Sequence, residues 1–258
     1  MKLLFVGDVF GQPGRAALLG WLPGFREEAG IGFVVANGEN AANGAGITSK
    51  IARKLLDGGV DVLTTGNHVW RQREVFGFLT ADERIVRPAN YPEGAPGRGL
   101  TVRPAADGTP VAVINLAGSL YLDTGLSPFR LVDQLVDEAH RLAATVLVDL
   151  HAEATSEKVA MGHYLDGRVT AVVGTHTHVQ TSDARVLPGG TAYITDVGMT
   201  GPLESVIGVR TDIIVRRFLT ELPQRFEVED EGPRRLNAVV IAAEGGVATA
   251  IEALDVVV

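Results

Sequence analysis

Short apolar runs alternate with helix-length segments in the first third of the chain, a pattern typical of β-α-β units. The apolar runs predict buried strands at Leu3–Gly7, Gly32–Ala36 and Val60–Thr65. Helices are predicted at Pro13–Glu28, Thr48–Asp57 and Gln72–Leu79, the second capped by Thr48 or Ser49. This alternation predicts a mostly parallel sheet covered by helices.

The remainder of the chain departs from this alternation. The stretch Arg87–Gly99 is rich in proline and glycine and predicts a long irregular loop. Further strands are expected at Leu100–Val102, Pro110–Leu116, Thr145–Leu150, Ala171–Gly174, Thr191–Thr195, Asn237–Ala243 and Thr249–Leu254, with helices near Pro128–Leu142 and Ser156–Leu165. We therefore predict one domain over residues 1–258, in which two packed sheets carry helices on their outer faces.

Polar side chains follow five of the predicted strands. They are Asp8, Glu39 with Asn40, Asn67 with His68, His151, and His176 with His178. The carboxyl ends of parallel strands share one sheet edge, where ligands bind, so residues distant in sequence can converge there. Each residue alone has an ordinary explanation; Asn67, for example, tolerates a left-handed backbone. The agreement among the strand ends is what predicts a site.

The types of side chain at these strand ends suit metal ions. Two carboxylates, two amides and three imidazoles favour iron, manganese or zinc over calcium. His176 and His178 point the same way if their segment is extended. Seven candidate ligands exceed what one catalytic ion with an open position needs, but they suit two ions that share a carboxylate. Such pairs of ions clamp the attacking and leaving oxygens of a phosphoryl displacement.

His68 has a different predicted role, because it adjoins a candidate ligand without being needed as one. A histidine titrates near neutral pH, so His68 suits a general acid that protonates a leaving alkoxide. The alternative is a hydrogen-bonded loop residue. His140 and His163 fall in predicted helices and are interpreted as structural or solvated.

Composition narrows the function classes further. The net charge of −8 argues against an extended nucleic-acid face, though not against a small nucleotide. The absence of cysteine excludes disulfides, thiolate nucleophiles, zinc–thiolate sites and iron–sulfur clusters. The apolar run before Asp8 is too short for a signal peptide or a membrane span, so we expect a cytoplasmic protein without membrane contact.

The order of these motifs resembles that of the calcineurin-like metallophosphoesterases. The matching residues are Gly7-Asp8, Glu39, Gly66-Asn67-His68, His151 and His176-Thr177-His178. Two departures, Phe10 in place of a histidine and Glu39 in place of an aspartate, resemble the YmdB-type branch. So do the strings GENAANG at 38–44, DLHAEATSEK at 149–158 and DVGMTGP at 196–202.

The resemblance implies an α/β fold of four layers, α/β/β/α, with two mixed sheets flanked by helices. It implies a phosphodiesterase, with 2′,3′-cyclic nucleotides as favoured substrates, two ions per chain (iron, with manganese as the alternative) and a homo-oligomer. By this analogy Asp8, Glu39, Asn40 and His178 hold one ion, and Glu39, Asn67, His151 and His176 hold the other. A hydroxide bridging the ions would attack phosphorus, and His68 would protonate the leaving group.

Two alternatives stay open at the level of sequence. One is a phosphomonoesterase or nucleotidase, which would need an additional arginine for the dianion; Arg15, Arg71 and Arg98 are candidates. The other is a regulatory binding protein that keeps a metal site for stability. Retention of His68 argues against the second alternative, because a purely structural site needs no general acid.

Overall fold

The computed structural model describes residues 1–258, which form thirteen strands in two sheets and six α-helices. The strands are β1 (Lys2–Val6), β2 (Asp8–Val9), β3 (Phe33–Asn37), β4 (Val62–Thr64), β5 (Leu100–Pro104), β6 (Pro110–Ala117), β7 (Thr145–His151), β8 (Ala171–Thr175), β9 (Arg185–Val186), β10 (Ala192–Ile194), β11 (Met199–Pro202), β12 (Arg234–Glu244) and β13 (Val247–Val257). The helices are α1 (Gly11–Glu28), α2 (Ser49–Asp57), α3 (Phe76–Ala81), α4 (Pro128–His140), α5 (Thr155–Tyr164) and α6 (Thr211–Thr220).

Both sheets are mixed. The first has the order β2-β11-β12-β1-β3-β4, with β13 paired to β12, and its parallel part is β1-β3-β4. The second has the order β5-β6-β7-β8-β10-β9, and its four central strands are parallel. The parallel strands of each sheet end at the edge where the candidate site residues follow, so the topology brings these residues together.

Apolar side chains on both faces of the central strands explain the layering. In β1, Leu3 and Phe5 face the core between the sheets, while Leu4 and Val6 pack toward α1 and α2. The second sheet repeats this arrangement, with its outer face packed against α4 and α5. Because successive side chains point to opposite faces, a strand buried on both faces is apolar throughout. The four-layer α/β/β/α sandwich predicted from the resemblance is confirmed.

Most predicted elements agree with the structure to within one to three residues. The Thr48 side chain caps α2 by accepting a hydrogen bond from the Ile51 amide at 3.2 Å, as predicted. The strands of the predicted β-α-β units, β1, β3 and β4, are parallel as expected, and β12 and β13 add long antiparallel pairings that make the first sheet mixed. The predicted helix at Gln72–Leu79 is a 3₁₀ turn, Arg73–Val75, followed by α3. Strands β2, β9 and β11 and helix α6 were not predicted. No helix has both the length and the apolarity needed to cross a membrane.

Candidate metal centre

The structure brings all eight predicted site residues to one edge of the sandwich. Asp8 follows β1, Glu39 and Asn40 follow β3, and Asn67 and His68 follow β4, all in the first sheet. His151 ends β7, and His176 and His178 follow β8 in the second sheet. Asp8, Glu39, Asn40 and His151 are buried, whereas the other four are partly exposed. The centre therefore lies where the two sheets meet, and it opens to solvent on one side.

Three side chains converge closely around Nε2 of His151. Glu39 Oε1 and His176 Nδ1 lie 3.0 Å from this nitrogen, and Asn67 Oδ1 lies at 3.1 Å. A single N–H cannot satisfy three neighbours. Metal–ligand bonds of about 2.1 Å at right angles hold adjacent ligand atoms about 3 Å apart, so the spacing fits one shared ion.

A second group forms around His178. Its Nε2 lies 2.8 Å from Nδ2 of Asn40 and 3.8 Å from Oδ1 of Asp8. Asn40 directs its oxygen to His68 instead, at 2.9 Å from Nδ1. As an oxygen ligand beside His178, Asn40 would need its amide reversed, and the oxygen and nitrogen of an amide are assigned from the hydrogen-bond network.

Two buried carboxylate oxygens without hydrogen-bond partners indicate whether these residues fit metal ions. Oδ1 of Asp8 and Oε1 of Glu39 are buried and accept no hydrogen bond. Oε1 of Glu39 is close to imidazole nitrogens, yet the angles are unsuitable for hydrogen bonding. A buried carboxylate oxygen without a partner is costly, and a cation would satisfy both. The donor set therefore fits metal binding at this centre.

Each of the three candidate histidine ligands is anchored through its other ring nitrogen. Nδ1 of His151 lies 2.9 Å from Thr175 Oγ1, Nε2 of His176 lies 3.0 Å from Glu153 Oε2, and Nδ1 of His178 lies 3.0 Å from the Ile207 carbonyl. Such contacts fix the tautomer and the ring orientation of metal-binding histidines. They leave one nitrogen of each ring free to face the centre.

The support of His151 extends further into the core. The Thr175 hydroxyl donates to Asp149 at 2.8 Å, and the Asn37 amide donates to the same carboxylate at 3.0 Å. Burial raises the pKa of Asp149 to about 6, even though these donors oppose the shift. Sequence reasoning missed Asp149 and Thr175. Asp149 lies two residues before His151 in β7, hence on the same face of the strand, and that spacing is a signal that could have identified it.

Burial and charge set the protonation of the centre. Burial disfavours the charged form of Glu39, but His151 and His68 outweigh it and hold the pKa of Glu39 well below its usual value. Burial also opposes charge on His151, yet Glu39 and Asp8 raise the pKa of His151 to about 9. Burial and the charge on His151 lower the pKa of His176 to about 3. A metal ion would therefore bind to a neutral His176, whereas it would have to displace a proton from His151.

The segment that carries His176 and His178 is not extended, so the predicted reason for their convergence was wrong. Both have left-handed φ angles, 100° for His176 and 63° for His178, which are uncommon for residues other than glycine. The segment is held by its backbone: the His176 amide donates to Asp8 Oδ2 at 3.1 Å. Thr177 between them donates to Asp196 through both its amide and its hydroxyl.

Asp196 belongs to a buried ion pair that sequence reasoning also missed. Nζ of Lys158 lies 2.6 Å from Asp196 Oδ2, and both side chains are almost fully buried. The other carboxylate oxygen accepts the Gly198 amide at 2.8 Å, and the Gly198 carbonyl accepts the Asp8 amide at 3.0 Å. The pair thus connects the histidine segment to the backbone beside Asp8. Its signal in the sequence is a lysine on the buried face of α5.

His68 lies at the border between the centre and an open cleft of about 630 Å³. Its amide donates to Glu39 Oε2 at 3.0 Å, and its Nδ1 lies 3.2 Å from Glu39 Oε1. Since Nδ1 faces Glu39 and Asn40, Nε2 is the ring nitrogen left for a ligand in the cleft. His140 and His163 lie away from the centre, and His140 donates to the Arg168 carbonyl at 2.7 Å.

The three arginines proposed to hold a dianion have different surroundings. Arg71 lines the cleft. Arg15 donates to the Ala41 carbonyl, and Arg98 pairs with Glu83 at 2.7 Å. Only Arg71 is therefore placed to contact a ligand beside the centre. Phe10, which occupies the position of the missing histidine, is buried and meets the His178 ring edge-on at 5.5 Å.

Comparison with known proteins identifies similar chains of nearly the same length. The family described as YmdB-like protein matches residues 4–254. The chain is 50% identical over 241 residues to the 2′,3′-cyclic-nucleotide 2′-phosphodiesterase of Bacillus subtilis (strain 168), covering 93% of this chain and 90% of the relative. It is 37% identical over 250 residues to a protein of Mycoplasma genitalium named as a putative phosphatase/phosphodiesterase, covering 93% and 86%.

Two solved structures share the fold over the whole chain. A hypothetical protein from Thermus thermophilus superposes with a TM-score of 0.93 at 44% identity, covering 100% of this chain and 99% of that one. A phosphatase from Mycoplasma pneumoniae superposes with a TM-score of 0.92 at 34% identity, covering 100% and 93%.

Proposed function

The chain belongs to the YmdB-like family, and from that premise we propose that it is a metal-dependent phosphodiesterase that hydrolyses 2′,3′-cyclic nucleotides. The observation that carries the proposal is the anchoring of His151, His176 and His178. Each presents one ring nitrogen to the centre while the other is held by a separate partner. This preorganisation around two buried carboxylates suits a centre that binds ions and keeps its geometry during reaction.

Each of the two proposed ion positions draws ligands from both sheets. One would be held by Glu39, Asn67, His151 and His176, and the other by Asp8, Glu39, Asn40 and His178. Glu39 is the shared ligand. When bound, such ions polarise phosphoryl oxygens and lower the pKa of coordinated water, which supplies the nucleophile. Iron, with manganese as the alternative, remains our proposal for the ions, and the homo-oligomer, the single domain and the cytoplasmic location likewise stay predictions.

His68 supplies the proton that the leaving oxygen needs. Its Nδ1 faces the side-chain amide of Asn40 at 2.9 Å and Oε1 of Glu39 at 3.2 Å, which leaves Nε2 toward the cleft. From this position, an N–H at Nε2 can donate its proton to an alkoxide that departs on the side of the cleft. A positioned general acid of this kind contributes about 10²- to 10⁴-fold to the rate.

A phosphomonoesterase is the second candidate, and Arg71 is the observation that favours it. A monoester dianion carries more charge than a diester, and a guanidinium is suited to bind it in bidentate fashion. The Arg71 side chain borders the cleft and takes part in no ion pair. If monoesters are substrates, replacement of Arg71 by alanine should reduce monoester hydrolysis more than diester hydrolysis.

The test combines ion content with a panel of substrates. Protein purified without chelator and reloaded with iron or manganese should contain about two ions per chain by elemental analysis. It should hydrolyse 2′,3′-cyclic nucleotides faster than 3′,5′-cyclic nucleotides, an artificial diester or monoesters. At most one ion after reloading would overturn the dinuclear centre. Faster hydrolysis of monoesters would overturn the diesterase in favour of the second candidate.

A further inference from the structure

The cleft beside the centre has two walls of opposite chemistry. One wall carries the polar residues of the centre, together with Arg71 and Glu153. A second, apolar wall is formed by Phe10, Ile207, Val209, Phe226 and Val228. Phe10 and Val209 also pack in a small buried cluster with Met199 and Ile214, but a centre that only had to bind phosphate would have no use for the accessible part of this wall. Its presence indicates a ligand with an apolar or aromatic part attached to a phosphate.

The apolar wall is a built structure, because two chain segments pair to form it. The Arg210 amide donates to the Glu227 carbonyl, and the Glu229 amide donates to the Gly208 carbonyl, each at 3.0 Å. Val209 and Val228 face each other in an isolated β-bridge between these segments. The pairing holds the wall in place without any help from a ligand.

Two large apolar side chains of this wall remain accessible at the cleft. Ile207 is 50% exposed and Phe226 is 49% exposed, whereas Phe10 and Val209 are buried. The Arg217 guanidinium lies over the Phe226 ring, 5.0 Å from its centroid. Stacking by Arg217 restrains the ring, so Phe226 can offer an aromatic surface to the cleft at a small cost in entropy.

The wall is also directly connected to the proposed ion centre. The ring of His178, one of the proposed ligands, is hydrogen-bonded to the backbone carbonyl of Ile207 in the wall, so the centre and the wall are in direct contact. In a 2′,3′-cyclic nucleotide, the phosphate and the base are separated by one ribose. A phosphate at the centre would therefore direct its base toward the apolar wall. The cleft volume of about 630 Å³ is in the range of pockets for single small molecules.

We propose that Ile207 and Phe226 form a subsite for the nucleobase, in which the base stacks on the Phe226 ring. This inference rests on the proposed function and adds the part of the substrate that the wall recognises. Glu227 also lies in this wall, but its carboxylate forms an ion pair with the Arg210 guanidinium at 3.4 Å. Stacking is available to every base, so the subsite accepts all four bases with similar affinity.

The test compares two phenylalanines, one inside and one outside the subsite. Phe226→Ala removes the stacking surface, and Phe226→Trp retains an aromatic one. Phe218→Ala is the matched control, because Phe218 is 79% exposed on α6 and does not line the cleft. The substrates are the four 2′,3′-cyclic nucleotides and ribose 2′,3′-cyclic phosphate without a base. Titration calorimetry of the ion-loaded protein with adenosine 3′-monophosphate and with ribose 3-phosphate gives a readout independent of turnover.

Phe226→Ala should raise KM for the cyclic nucleotides by about 10- to 100-fold, the usual effect of losing one base–aromatic stack. It should leave the substrate without a base unchanged, and Phe226→Trp and Phe218→Ala should resemble the parent protein. An unchanged KM in Phe226→Ala, or an equal loss on the substrate without a base, would overturn the subsite. If the parent protein hydrolyses no cyclic nucleotide, the proposed function fails. The subsite then stands or falls on whether Phe226→Ala abolishes the preference for the nucleotide in calorimetry.

Discussion

Replacing Gly66 by alanine should disrupt the proposed centre directly. A Cβ atom at Gly66 would lie 2.2 Å from Glu39 Oε2, 2.2 Å from His151 Cδ2 and 2.3 Å from His151 Nε2. Real Cβ atoms essentially never come within 3.0 Å of another heavy atom, and ordinary contacts begin at 3.4 Å. The φ angle of Gly66 is not left-handed, so the backbone tolerates alanine and the effect is purely steric.

The size of the effect follows from these distances. Glu39 or His151 must retreat by about 1 Å, the difference between 2.2 and 3.4 Å. A displacement of that size costs about 10²-fold in rate when it affects positioned groups, and overpacking costs about 1–3 kcal/mol of stability. Both displaced residues are proposed ligands of the same ion. Gly66→Ala should therefore lose that ion and at least about 99% of the diesterase activity.

Gly20→Ala provides the matched control, because a Cβ at Gly20 in α1 meets nothing within 4 Å. This variant should keep both ions, and its free energy of unfolding should rise by up to about 1 kcal/mol, since alanine is the better helix former. Elemental analysis, diesterase rate and denaturant unfolding are measured on both variants. If Gly66→Ala kept two ions and the parent rate, Glu39 and His151 could not share an ion, and the proposed centre would be refuted.

Four other variants test separate parts of the site. Glu39→Ala should lose most of both ions and nearly all activity, because Glu39 is the shared ligand; elemental analysis showing two ions would exclude it as the bridge. Asn40→Ala should lose only one ion, and full occupancy would show that Asn40 is no ligand. His68→Ala should keep both ions but lose about 10²- to 10⁴-fold in rate, with a smaller loss on a nitrophenyl diester, whose leaving group needs less protonation. An equal loss on good and poor leaving groups would assign His68 a role in shaping the loop. Lys158→Met should cost about 3–5 kcal/mol in denaturant unfolding because it leaves Asp196 buried without its cation, and adding Asp196→Asn should recover part of this loss. A cost below about 1 kcal/mol would show that the hydrogen bonds to Asp196 suffice without the lysine.

The elements that could be predicted from sequence are those whose own pattern of apolar residues indicates a strand or a helix. β1 and β3 are buried on both faces, so their apolar runs indicate strands without reference to any neighbour. Strands β2 and β11 have two and four residues and exist because they pair with each other across the chain. Helix α6 buries only Ile214 and therefore lacks the apolar stripe that a periodicity search detects.

The positions of the candidate ligands could also be predicted, because strand ends meet at one edge. The groups that orient them could not. Glu153 reaches His176 from the loop after β7, half-exposed and unremarkable in sequence. The left-handed backbone at His176 and His178 depends on tertiary contacts with Asp8 and Ile207, which no local pattern encodes.

The proposed centre lies on the seam between the two sheets, and this placement determines when it can form. The acidic ligands come from the N-terminal strands of the first sheet and the imidazoles from the second sheet, with Asp8 and His176 separated by 168 residues. During synthesis, Asp8 and Glu39 therefore leave the ribosome long before the proposed histidine ligands have been synthesised. No fragment that ends before β8 contains the full donor set. In the proposed centre, both ions can therefore be bound only late in chain synthesis, after His178 has left the ribosome.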